Sequence, residues 1–135
     1  ASNQIAGRLA SCAAKEALKG KEVCIVNAEN AVISGNPEFV LKRYQDMISR
    51  GDPHRGPFYP RMPDRILKRI IRGMLPYKKP RGREALKRVK VFISVPENLK
   101  EDIEPKTFPK TENKLLSRYT SLGELSEKLG AKKTW

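Results

Sequence analysis

The sequence predicts an α/β fold in which parallel strands are covered by helices. Three observations predict it. Apolar residues recur at helical spacing in segments 5–18, 37–49, 64–75 and 122–129. Two β-rich runs, 22–26 (EVCIV) and 89–95 (VKVFISV), are bounded by polar residues or proline. The resulting order is helix, strand, helix, basic helices, strand, which places helices between strands as parallel crossovers require. Strand order within the sheet does not follow from the pattern.

The first helix, 5–18, is alanine-rich, and Gly20 supplies its stop. Its polar face carries Arg8, Lys15 and Lys19. The 22–26 run reads as a buried strand. Ala31-Val32-Ile33 is either a second short strand or part of a connecting turn. Asn36-Pro37 marks a helix start, an N-cap residue with proline at the first position. Val40, Leu41, Tyr44, Met47 and Ile48 give that helix its apolar face. Residues 51–63 contain Gly51, Pro53, Gly56, Pro57, Pro60 and Pro63 and predict irregular structure. This is either an ordered loop gripped by a partner or a mobile surface loop.

A basic helix is expected over 64–75. Ile66, Leu67, Ile70, Ile71 and Met74 form one face, and Arg65, Lys68, Arg69 and Arg72 form the other. Pro63 suits its first position and Asp64 complements the positive end of its dipole. Residues 76–83 (PYKKPRGR) are turn-like in composition, and 84–88 can form a short helix. Residues 97–113 are polar and proline-containing, a surface excursion. Ser121-x-x-Glu124 is a capping box opening a last helix with Leu122, Leu125 and Leu129, closed by Gly130. Trp135 docks either on a partner or on its own domain.

Charge is distributed unevenly. The 135 residues carry 28 Lys+Arg against 15 Asp+Glu, a net charge of +13. Segment 50–90 holds 14 of the cations and three acids (Asp52, Asp64, Glu84), so it alone carries +11. Cations concentrated in this way repel one another and call for an anionic counterpart. Polymeric phosphate fits, because each cation that meets a phosphate also releases a counterion. The alternative is an ordinary solvated helix face, but basic loops flank this helix on both sides. The candidate RNA-binding residues are Arg8, Arg50, Arg55, Arg61, Arg65, Lys68, Arg69, Arg72, Tyr77, Lys78, Lys79, Arg81, Arg83, Lys87 and Arg88. Tyr77 either stacks on a base or ribose, or covers a core edge.

Other classes are disfavoured. No apolar run approaches the ~20 residues of a spanning helix, and the N-terminus lacks a signal-peptide plan. Cys12 and Cys24 show neither CxxC spacing nor clustering. The economical reading is a reduced cytosolic protein with two small buried thiols, a disulfide between them being the alternative. His54 is the sole histidine, so no metal site or catalytic triad is expected. No Walker-type loop or G-x-G-x-x-G occurs, and no cofactor or small-molecule substrate is expected. One domain spanning 1–135 suits the length.

Three blocks carry a family resemblance. The first is Ala6-Gly7-Arg8-Leu9-Ala10-Ser11, followed by Val26-Asn27-Ala28-Glu29 and Ile33-Ser34-Gly35-Asn36. The second is Arg55-Gly56-Pro57-Phe58. The third is Arg72-Gly73-Met74-Leu75-Pro76, continuing through Lys78-Lys79-Pro80-Arg81-Gly82-Arg83-Glu84-Ala85-Leu86 to Lys87-Arg88-Val89-Lys90-Val91-Phe92. With them the chain resembles the large-subunit ribosomal protein of the universal L-thirteen family, in its archaeal form. Leu122-Gly123-Glu124-Leu125 and Leu129-Gly130-Ala131 add to the archaeal likeness.

The resemblance implies a single three-layer α/β/α domain with a mainly parallel sheet of about four strands and a basic helix-loop extension. It implies a non-catalytic constituent of the large ribosomal subunit, bound to its rRNA and active early in assembly. Its RNA-facing positions map onto the basic helix and the KKPRGR loop. Expected partners are large-subunit rRNA and neighbouring ribosomal proteins, with no membrane and no independent homo-oligomer; the location is the cytoplasmic ribosome. Family members open with a short strand before the position of Asn3, so that strand is expected to be missing or clipped here, which bears on the first strand of the sheet and not on the resemblance. Two other classes compete: an off-ribosome regulatory RNA-binding protein, and an RNA-modifying enzyme, for which no catalytic constellation is visible.

Overall fold

The structure, a computed structural model, describes residues 1–99, 107–112 and 118–135. Its elements in chain order are α1 (Ala6–Leu18), β1 (Val23–Ile25), β2 (Val32–Ser34), α2 (Pro37–Ser49), α3 (Pro63–Met74), α4 (Pro80–Arg88), β3 (Val89–Val91), β4 (Tyr119–Ser121) and α5 (Leu122–Lys128). Short 3-10 turns occupy Ala28–Asn30, Glu97–Leu99 and Pro109–Thr111.

Helix α3 is the hub. It packs against α1, β3, α5 and the 28–30 turn. Its Ile66, Leu67 and Ile71 are fully buried. The facing side of α1 is built from Ala6, Leu9, Ala10, Ala13, Ala14 and Ala17. Alanines keep that face thin, so the branched side chains of α3 can fill the space between the helices. Leu75, Ala85, Val89, Leu122 and Leu125 complete the same core.

The predicted caps are present. The Asn36 side chain accepts a hydrogen bond from the Glu38 amide at 3.2 Å, with Pro37 at the first helical position. The Ser121 hydroxyl accepts from the Glu124 amide at 3.2 Å and opens α5. Pro63 opens α3, with Asp64 in its first turn.

Three expectations are corrected. Helix α4 begins at Pro80, so Arg81 and Arg83 lie on a helix and not in a loop. Pro80 sits at the start of that helix, where its missing N–H costs nothing. Met74 does not join the apolar face: it is 46% exposed, while Leu75 is buried. Helix α3 ends at Met74, and the extended backbone of Leu75 turns that side chain inward. Cys24 is exposed and Cys12 only half-buried, and both are free thiols. In a strand as short as β1, Cys24 points away from the side that buries Ile25.

The fold is mixed α/β, as expected, and among the described residues the strands pair as two two-stranded sheets, one parallel and one antiparallel. Strands β1 and β3 are parallel, with Val23 opposite Val89 and Ile25 opposite Val91. Strands β2 and β4 are antiparallel, with Val32 opposite Ser121 and Ser34 opposite Tyr119. Single bridges extend the second pair, Ile5 to Val32 (parallel) and Gln4 to Glu112 (antiparallel).

The Ala31–Ile33 run, open between strand and turn, holds β2. Of the 97–113 excursion, residues 100–106 and 113 lie outside the described residues. Thr111 within it is buried, and its carbonyl accepts from the Ile5 amide at 2.8 Å. Trp135 lies against its own domain: a Cβ added at Gly123 would meet its indole Nε1 at 3.0 Å.

Candidate nucleic-acid interface

The polar side of α3 faces a groove about 330 Å³ in volume. Arg65, Lys68, Arg69 and Arg72 line it from α3, Pro60 from the preceding loop and Leu86 from α4. Helical spacing alone brings the four cations to one side. Burial of the opposite side in the core prevents the helix from turning them elsewhere. No described carboxylate lies within ion-pairing distance of these four.

Two of the guanidinium groups rest on aromatic rings. The Arg69 guanidinium carbon lies 4.4 Å from the Tyr59 ring centroid, and Arg72 lies 5.0 Å from that of Tyr77. Arg69 also donates from Nη1 to the Phe58 carbonyl at 3.3 Å. Tyr59 in turn meets the edge of buried Tyr44, ring centroids 5.8 Å apart at 80°. Burial pushes the Tyr44 hydroxyl up to about 12, reinforced by Tyr59. Burial also raises Tyr59, an effect opposed by the positive charge of Arg69. Tyr77 is 41% exposed, with Arg72 over its ring.

The other candidates are spread around this groove. Lys78 and Lys79 are exposed in the turn joining α3 to α4. Arg83 donates to the Lys78 carbonyl at 3.2 Å and braces that turn. Gly82 permits the packing: a Cβ there would stand 2.1 Å from the Pro76 carbonyl oxygen. Arg81 and Lys87 are exposed on α4. Arg88 is engaged internally, donating to the Ala17 carbonyl at 3.5 Å and reaching the Glu84 carboxylate at 3.9 Å. Arg8 is exposed on α1, one turn before Ser11, whose hydroxyl contacts the Met74 sulfur at 3.4 Å.

Arg50 and Arg61 line a second depression of about 370 Å³, together with Asp52, Phe58 and Tyr59. The Arg61 carbonyl accepts from the buried Ser126 hydroxyl, tying this loop to α5. Arg55 is exposed at the loop tip. Reciprocal backbone hydrogen bonds between Asp52 and Gly56, at 3.2 and 2.8 Å, give the loop order of its own.

Sequence reasoning missed Tyr59, Pro60 and Leu86 as parts of the site. The signal was the Pro57-Phe58-Tyr59-Pro60 cluster just before the basic helix, since aromatics beside arginines suit nucleic acid. Among the described residues no group of three or more His, Cys, Asp or Glu could hold a metal ion. No described helix is long and apolar enough to cross a membrane.

A profile of the family "Ribosomal protein L13" matches residues 1–98, which include the whole cationic segment. The chain belongs to this family. It is 52% identical over 135 residues to the large ribosomal subunit protein uL13 of Methanosarcina barkeri, covering 98% of this chain and 96% of the relative. It is 50% identical over 137 residues to the uL13 protein of Methanocaldococcus jannaschii, and 48% over 136 residues to that of Methanococcus maripaludis. Each alignment covers 98% of this chain and 96% of the relative. The archaeal L-thirteen resemblance is thereby shown. Membership places the chain among ribosomal proteins, not enzymes.

Proposed function

We propose that this chain is a structural constituent of the large ribosomal subunit that binds its rRNA through the groove of α3 and the turn leading into α4. In this role it supports subunit assembly and translation in the cytoplasm. Its partners are then large-subunit rRNA and adjacent ribosomal proteins, and it acts as one domain, 1–135, without forming its own oligomer. The observation that carries the reading is the row Arg65, Lys68, Arg69 and Arg72, lining one groove with no described carboxylate to neutralise it. Guanidinium forks suit phosphate oxygens. A-form RNA hides its base edges in a narrow major groove, so phosphate and shape contacts hold the protein.

Under this reading the two strand pairs belong to the three-layer α/β/α arrangement that the family resemblance implies. The parallel bridge from Ile5 to Val32 supports it, because it adds a third chain segment beside β2 and β4.

The test is a salt titration of binding to large-subunit rRNA fragments. A protein making about 6–10 phosphate contacts loses roughly 10³–10⁵ in affinity between 50 and 200 mM salt. Changing Arg65, Arg69, Arg72, Lys78, Lys79 and Arg81 together to Gln should flatten that dependence and leave the circular dichroism intact. Unchanged binding by this variant refutes the assignment.

A further inference from the structure

We infer that the groove of α3 seats one unpaired nucleotide, its base between Pro60 and Leu86 and its phosphate on the surrounding cations. The inference rests on the RNA-binding reading above and refines it. A flat ridge of cations would serve a duplex backbone equally well. This site is an open, shallow depression of about 330 Å³, enough to take one base against its wall. Two of its six lining residues, Pro60 and Leu86, are apolar and half-buried.

Paired bases stay stacked inside a duplex and would leave that apolar wall wet. An unpaired nucleotide is flat and apolar at one end and anionic at the other. It matches a cleft with an apolar wall and a cationic lining, and unpaired bases are what side chains reach in RNA. The cations are also held in place. Arg69 rests on Tyr59 and donates to the Phe58 carbonyl, and Arg72 rests on Tyr77. Less side-chain freedom is lost when the phosphate arrives.

The test uses the full chain and three hairpin RNAs with the same stem: fully paired, with one bulged nucleotide, and with that nucleotide abasic. The bulged hairpin should bind about tenfold tighter than the paired one, the worth of seating one base. The abasic bulge should fall back to the paired level. Leu86→Asn, and separately Pro60→Ser, should erase the preference without changing the salt slope, with melting curves confirming that each variant is folded. Equal binding of bulged and paired hairpins, or of bulged and abasic ones, overturns the nucleotide seat while steep salt dependence leaves the RNA-binding reading standing. Absence of salt-dependent binding to any hairpin overturns both.

Discussion

The central guanidinium carbon of Arg69 lies over Tyr59, 4.4 Å from the ring centroid. Tyr59 is braced from beneath by Tyr44, which is 8% exposed and belongs to the core. A core residue thus fixes a surface cation through one intervening ring. Replacing Tyr59 with Leu keeps every charge and removes the support. A partly exposed cation–π contact contributes about 0.5–2 kcal/mol, so rRNA affinity should fall by roughly 2- to 30-fold. The salt slope should not change, because the number of cations has not. A changed slope with unchanged affinity at low salt would contradict this account of Arg69.

The same pair of tyrosines predicts an alkaline weakness. Burial holds the Tyr44 hydroxyl at about 12, above its ordinary value of 10. The unfolded chain releases that proton first, so the native state carries more protons between pH 10 and 12. Stability from this group is complete below pH 10 and is lost as pH rises towards 12, by at most about 1.4 kcal/mol per unit. Denaturant melts across that range should show a shallower decline for Tyr44→Phe than for the unaltered chain. Parallel declines would place Tyr44 outside the alkaline transition.

Two glycines in similar Arg-Gly contexts should respond in opposite ways. A Cβ at Gly82 would stand 2.1 Å from the Pro76 carbonyl oxygen, and backbone cannot swing aside. Gly82→Ala should therefore cost about 1–3 kcal/mol as α4 is pushed off the turn. A Cβ at Gly73 meets nothing within 4 Å, and its helix φ is ordinary. Gly73→Ala should be neutral or stabilise by up to about 1 kcal/mol. Thermal melts of the two variants check the contrast.

Much of this was legible in the residues, for physical reasons that differ by element. Helix α3 was readable because its apolar spacing and its arginines agree on one orientation. The starts of α2 and α5 were readable because Asn36 and Ser121 make bonds that depend only on near neighbours. The start of α4 was not, since Pro80 and Gly82 spell a turn until Pro76 is known to lie against Gly82. Strand pairing was hidden for a similar reason: residues 22–26 do not announce that Val89 lies opposite Val23. The cationic half of the groove follows from helix periodicity. Its apolar wall does not, because Pro60 and Leu86 come from separate elements and meet only in the folded chain.

The cationic groove should face RNA in the assembled particle. Ultraviolet crosslinking of large subunits carrying this chain, followed by peptide mapping, measures it directly. Crosslinked nucleotides should fall on peptides between residues 57 and 88, with Phe58, Tyr59 and Tyr77 the expected reactive rings. Crosslinks confined to α2 around exposed Phe39, or to β4 around exposed Tyr119, would contradict it.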